Sequence, residues 1–117
     1  MDRVYELQAE TLRTLAHPRR LEILHELAAK PSNVGSLAHR LGMSQPNVSQ
    51  HLALMRASGL VLAERQGREI EYRLADPDVI RACALMRQAM QRRLMSLASA
   101  SIGERPAAME GRLPVRS

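Results

Sequence analysis

The sequence predicts a mainly α domain of about five helices with a single two-stranded β-hairpin. Three observations carry that expectation. The chain has no Trp or Phe and only two Tyr, so its core must be assembled from Leu, Ile, Val, Met and Ala. That palette suits helices better than sheets, which favour aromatic and β-branched residues. Apolar residues recur every three to four positions from Val4 to Met55, and strict alternation replaces that period only after Leu60.

The first helix is expected over about residues 3 to 16, with Val4, Leu7, Thr11, Leu12 and Leu15 on one face. His17-Pro18 ends it, because the residue before proline is pushed away from helical geometry. Pro18 then suits the first turn of a second helix, where its missing N–H costs nothing. That helix runs to about Ala29, with Leu21, Leu24, Leu27 and Ala28 expected to face inward. A short third helix follows over about 33 to 41, striped by Val34, Leu37, Ala38 and Leu41 and closed by Gly42. Ser44 is a good N-cap for the fourth helix, whose buried face is Val48, Leu52 and Met55 until Ser58-Gly59 stops it. Helix, tight glycine-containing turn, then a helix opening with small polar residues is the helix-turn-helix pattern. Val61 and Ala63, then Ile70, Tyr72 and Leu74, alternate with charged residues around Gln66-Gly67, which predicts a hairpin. Asp76-Pro77-Asp78 starts a last helix with apolar positions Val79, Cys83, Met86, Met90, Leu94 and Leu97. Residues 1–100 are expected to form the domain, and 101–117 a flexible tail without periodicity.

Composition narrows the function classes. The 117 residues carry 17 Lys plus Arg against 12 Asp plus Glu, a formal charge of +5 that permits a nucleic-acid partner. The excess is spread along the chain and forms no sharp basic patch. The longest apolar run, Ala82 to Met86, is far short of the roughly 20 residues of a membrane span, so no membrane role is expected. The N-terminus has no stretch of secretory type. With Cys83 as the one cysteine, no internal disulfide and no Cys-x-x-Cys zinc pattern exist, and a reducing cytoplasm is the expected compartment.

The fourth helix opens Ser44-Gln45-Pro46-Asn47-Val48-Ser49-Gln50-His51-Leu52. Its off-stripe residues other than Pro46 can donate or accept hydrogen bonds, and none carries a full negative charge. A surface that enters a major groove needs short polar side chains for base edges and no carboxylate facing phosphates. Gln45, Asn47 and Gln50 can read adenine bidentately. The expected base or near-base contacts are therefore Gln45, Asn47, Ser49 and Gln50, with Ser44 on phosphate. His51 belongs to the same segment as a hydrogen-bonding or structural residue. Arg65 and Arg68 flank the hairpin tip and can reach phosphate or the minor groove, although Glu64, Glu69 and Glu71 lie close by.

These segments resemble the ArsR/SmtB family of winged helix-turn-helix repressors over about residues 5 to 97. The run from Leu15 to Leu24 is similar to the opening of that family's second helix. The run from Ser44 to Val61 resembles its recognition helix and exit, and Gly67-Arg68 with Tyr72-Arg73-Leu74 resembles its wing. The resemblance implies a homodimer, paired through the first and last helices, that binds operator DNA and releases it on a signal. The long last helix independently points to a partner, because a domain this small cannot cover its whole apolar stripe. Two recognition helices would then sit about one DNA turn apart, roughly 34 Å, and read an inverted repeat.

The family's metal sites are not matched. Asn33-Val34-Gly35 stands where one site has Cys-x-Cys, while Asp78, Ala89 and Arg92 stand in the region of the other site's histidines. No metal and no cofactor are expected, which leaves a redox signal or a small molecule as inducer. Relatives that sense oxidants pair a last-helix cysteine with a second one that is missing here. Cys83 is thus either a small packing residue or a sensor acting between subunits or by modification. Catalysis is not expected: His25-Glu26 begins a zinc-protease pattern, but Ala29 takes the second histidine's place. The alternative from another class is a winged helix used only as a protein-interaction module.

Overall fold

A computed structural model of the protein describes residues 2–101. The element order is α1 (Arg3–Leu15), α2 (Pro18–Ala29), β1 (Ser32–Asn33), α3 (Val34–Leu41), α4 (Gln45–Ala57), β2 (Val61–Gln66), β3 (Glu69–Leu74) and α5 (Pro77–Ser101). Residues up to Arg81 form one compact unit, and the chain from Ala82 forms a second. The tail expected over 101–117 lies, beyond residue 101, outside the described residues.

Local chemistry explains the boundaries. Asp2 caps α1 by accepting from the Val4 N–H at 3.0 Å. His17 caps α2, its Nδ1 accepting from the Arg19 N–H at 3.2 Å. Asn33 Oδ1 caps α3 through the Ser36 N–H at 2.8 Å. Gly42 ends α3 in the left-handed region, φ 65°, where a side chain would be strained. The Met43 N–H then bonds back to the Ala38 carbonyl at 3.0 Å, the closure that lets the chain turn at once into α4.

In the first unit Ile23, Leu24, Leu37, Val48, Leu52, Met55 and Val61 are all under 2% exposed. The face expected for α2 needs correcting. Leu21 is 44% exposed and Ala28 is exposed, while Ile23 is fully buried. The buried strip is Ile23, Leu24 and Leu27, extended by a half-buried Arg20 that hydrogen-bonds the end of α1. Of the apolar face expected for α1 only Leu15 is buried; Val4, Leu7 and Leu12 stand at least 48% exposed.

The hairpin forms as expected, with Ala63 opposite Tyr72 and Val61 opposite Leu74. Gly67, φ 66°, supplies the positive angle that a two-residue hairpin turn requires. The sheet has three strands rather than two, because β1 pairs with β3 in the order β1-β3-β2. Buried Ser32 in β1 accepts from Arg40 Nη2 at 2.9 Å, and Arg40 Nε reaches Glu26 at 2.7 Å, so α2, α3 and β1 are joined.

The α5 helix starts within the first unit and makes up the described part of the second. Asp76 accepts from the Asp78 N–H at 2.9 Å where the helix begins. Met86, Met90, Leu94 and Leu97 are between 46% and 66% exposed. No helix among the described residues is long and apolar enough to cross a membrane.

Candidate nucleic-acid interface

The α4 helix divides its residues sharply. Val48, Leu52 and Met55 are completely buried, which fixes the rotation of the helix on its support. At 3.6 residues per turn, Gln50 then lies almost directly opposite that stripe, with Asn47 and Ser49 on its flanks. Ser44, Gln45, Asn47, Ser49 and Gln50 are all exposed. Asn47, Ser49 and Gln50 make the uncharged outward edge, and Ser44 and Gln45 open the helix beside it. Leu54, 47% exposed and two turns after Asn47, continues the outward strip with an apolar surface that the periodicity did not assign.

Ser44 has two capacities. Its Oγ accepts from the Asn47 N–H at 3.3 Å as the helix cap, and its hydroxyl proton remains available to donate outward. Gln45 lies close to α3: a Cβ at Gly35 would meet Gln45 Nε2 at 3.7 Å.

His51 does not share the open edge. It is half-buried, and its Nδ1 accepts from Arg20 Nε at 3.2 Å. Its ring also meets His17 edge-on, the centroids 4.7 Å apart. Burial, then the positive neighbours His17, Arg20 and Arg19, hold its pKa below the ordinary histidine value. The spacing of four scattered histidines hid this contact, because 17 and 51 are brought together only by the packing of α2 against α4.

At the hairpin tip Arg65 and Arg68 are exposed, as a DNA-reaching wing requires. Arg65 Nη1 folds back onto the Gly67 carbonyl at 3.2 Å. The carboxylates are placed unevenly. Glu64 sits directly opposite Glu71, and Glu69 accepts from Asn33 Nδ2 at 2.9 Å. Glu69 is thereby fastened to the start of α3.

Among the described residues no group of three or more His, Cys, Asp or Glu is placed to hold a metal ion. Cys83 is half-buried, and burial pushes its thiol pKa up. A reactive thiolate needs the opposite shift.

The family model for bacterial regulatory proteins of the arsR family matches residues 17–62. The chain is similar to the HTH-type transcriptional regulator Rv0081 of Mycobacterium tuberculosis. They are 38% identical over 90 residues, covering 76% of this chain and 79% of that protein. The Rv0081 crystal structure superposes with a TM-score of 0.72, at 35% identity, over 84% of this chain and 99% of that one. A second likeness is to a homodimeric winged helix-turn-helix DNA-binding domain, Mb0332 of Mycobacterium bovis. Its TM-score is 0.71 at 34% identity, over 78% of this chain and 84% of that one. The transcriptional repressor PagR of Bacillus anthracis is 40% identical with a TM-score of 0.65, over 71% of this chain and 95% of that one.

Proposed function

This chain belongs to the arsR family of bacterial transcriptional regulators, and on that premise we propose that it is a homodimeric, sequence-specific repressor. The observation that carries the reading is the exposed uncharged edge of α4, held in place by three completely buried side chains on the opposite face. Gln45, Asn47, Ser49 and Gln50 read base edges in the major groove, while Ser44 holds phosphate. Arg65 and Arg68 reach phosphate or the minor groove from the wing. Residues 1–100 act as the DNA-binding and dimerisation domain in the cytoplasm.

The bare apolar faces of α1 and α5 support pairing of two copies through those helices. The names of two relatives point the same way: the Mb0332 domain is homodimeric and PagR is a repressor. Two copies would read an inverted repeat with half-sites about one helical turn apart, roughly 34 Å. A signal, redox or small-molecule, releases the operator.

A gel shift with duplex DNA from the chain's own promoter region tests the reading. The expected result is a sequence-specific shift that weakens steeply as salt rises, since phosphate contacts release counterions. Absence of any specific shift would favour the protein-interaction module instead.

A further inference from the structure

Beside the DNA-reading edge, and resting on the DNA-binding reading of it, a polar cluster joins three helices. Arg20 on α2 donates from Nη1 to the Thr14 carbonyl near the end of α1 at 2.9 Å. From Nε it donates to His51 Nδ1 on α4 at 3.2 Å. The Thr14 hydroxyl in turn bonds Ser58, the residue that closes α4, at 2.8 Å. One residue of α1 therefore fastens α4 twice, near its middle through Arg20 and at its end through Ser58.

The first fastening depends on the charge state of His51. A neutral imidazole keeps a lone pair on Nδ1 for Arg20, whereas imidazolium carries protons on both nitrogens and has none. Proton uptake would set an N–H against the N–H of a cation. The groups facing the ring offer no relief. His17 at the cap of α2 stands against it edge-on. Arg20 and Arg19 on α2 are cationic, and Arg19 is partly offset by Glu22 at 2.6 Å. Thr14 on α1 is uncharged. The one carboxylate among these, Glu22, is engaged by Arg19 and does not itself meet the ring.

We propose that Arg20 is a positioning residue for DNA recognition. It clamps a neutral His51 on α4 to the Thr14 carbonyl of α1, and proton uptake by His51 opens the clamp and weakens DNA binding. Such a response is opposite in sign to ordinary electrostatics, in which acidification adds positive charge and tightens binding to phosphate. A side chain serving stability alone gives no reason for that inversion in protein that remains folded.

The test uses the full chain and a labelled duplex of its own promoter region at constant ionic strength. Wild type is expected to lose affinity progressively below the ordinary histidine range, read as weaker binding at about pH 5 than at about pH 8, with circular dichroism showing it folded at both. Arg20→Lys keeps the charge but cannot bridge two acceptors with a planar fork. It is expected to bind about fivefold more weakly at about pH 8 without a matching loss of fold. His51→Asn offers an acceptor at every pH, so its affinity should be no weaker at the lower pH than at the higher. In nitrogen NMR of the free protein, His51 should carry its neutral-state proton on Nε2 and titrate below an exposed histidine. Affinity that is flat or tighter in acid for wild type, or an acid-dependent loss that persists in His51→Asn, overturns the clamp. Failure of wild type to bind specifically at about pH 8 overturns the repressor reading, and the proposed role of Arg20 in recognition with it; the NMR titration still shows whether the clamp itself exists.

Discussion

The α4 and α5 helices are both amphipathic, yet they present opposite faces to solvent. In α4 the apolar stripe is completely buried and the polar edge is bare. In α5 the apolar stripe is itself bare, with Leu94 66% exposed and Met86 58%. Among the described residues the same periodicity thus finds its cover in one helix and not in the other. Hydrophobic spacing identifies which face seeks burial, and only packing shows whether the chain supplies the cover. The α1 helix follows α5, with Val4 63% and Leu12 50% exposed.

The largest expected effect tests the uncovered face. Leu94→Glu places a carboxylate on each copy's apolar stripe, and burying an unpaired charge costs several kcal/mol per ion. Light scattering coupled to gel filtration should show monomers in place of dimers, and the specific gel shift should disappear. A dimer that persists would move the interface away from this stripe. Next comes the covered face. Leu52→Ala removes a completely buried side chain and should cost about 2–5 kcal/mol in urea unfolding. In a dimer, the stability change at Leu52 should be independent of protein concentration, whereas loss of pairing by Leu94→Glu should also remove the concentration dependence of unfolding.

A smaller effect separates the two faces of α4. Gln50→Ala lies opposite the buried stripe and touches none of it. It should cost roughly 1–3 kcal/mol of specific DNA affinity, with the urea midpoint unchanged. Equal affinity in a titration at fixed salt would take Gln50 out of the reading surface.

The helices of the first unit were legible because each carries both a stripe and a stop signal. Gly42 and Ser44 mark the turn from α3 into α4, and the structure uses both, while Asn33, expected within α3, is its cap instead. The face of α2 differs from the expected one at Leu21 and Ala28 because Ile23 is buried in their stead and half-buried Arg20 extends the strip, a charged residue with no place in a hydrophobic pattern. Strand β1 was missed for a different reason. Two residues cannot show an alternation, and Ser32-Asn33 becomes a strand only through pairing with Tyr72 and Glu71. The uncharged edge of α4 could be read directly, since composition and helical phase define it. The Arg20–His51–Thr14 cluster could not, because residues far apart in the chain meet only once three helices have packed.

The smallest effect concerns Gly35, where support and reading edge come within contact of each other. This glycine is the second residue of α3, and its backbone is not in the left-handed region, so a side chain is allowed. An added Cβ would lie 3.5 Å from Asn33 Oδ1 and 3.7 Å from Gln45 Nε2, ordinary van der Waals contacts. Asn33 is held by the Ser36 N–H at 2.8 Å and by Glu69 at 2.9 Å, whereas exposed Gln45 is free to swing. Gly35→Ala should therefore raise stability by about 0.4–1 kcal/mol, chiefly by restricting the unfolded chain. A lowered urea midpoint would mean that the Asn33 cap, rather than Gln45, gives way. Measured on the same protein, DNA affinity separates support from reading: unchanged binding leaves Gln45 free to take its own position. Weaker binding from a more stable protein would make the bare backbone at position 35 part of what aims Gln45 at the base edges.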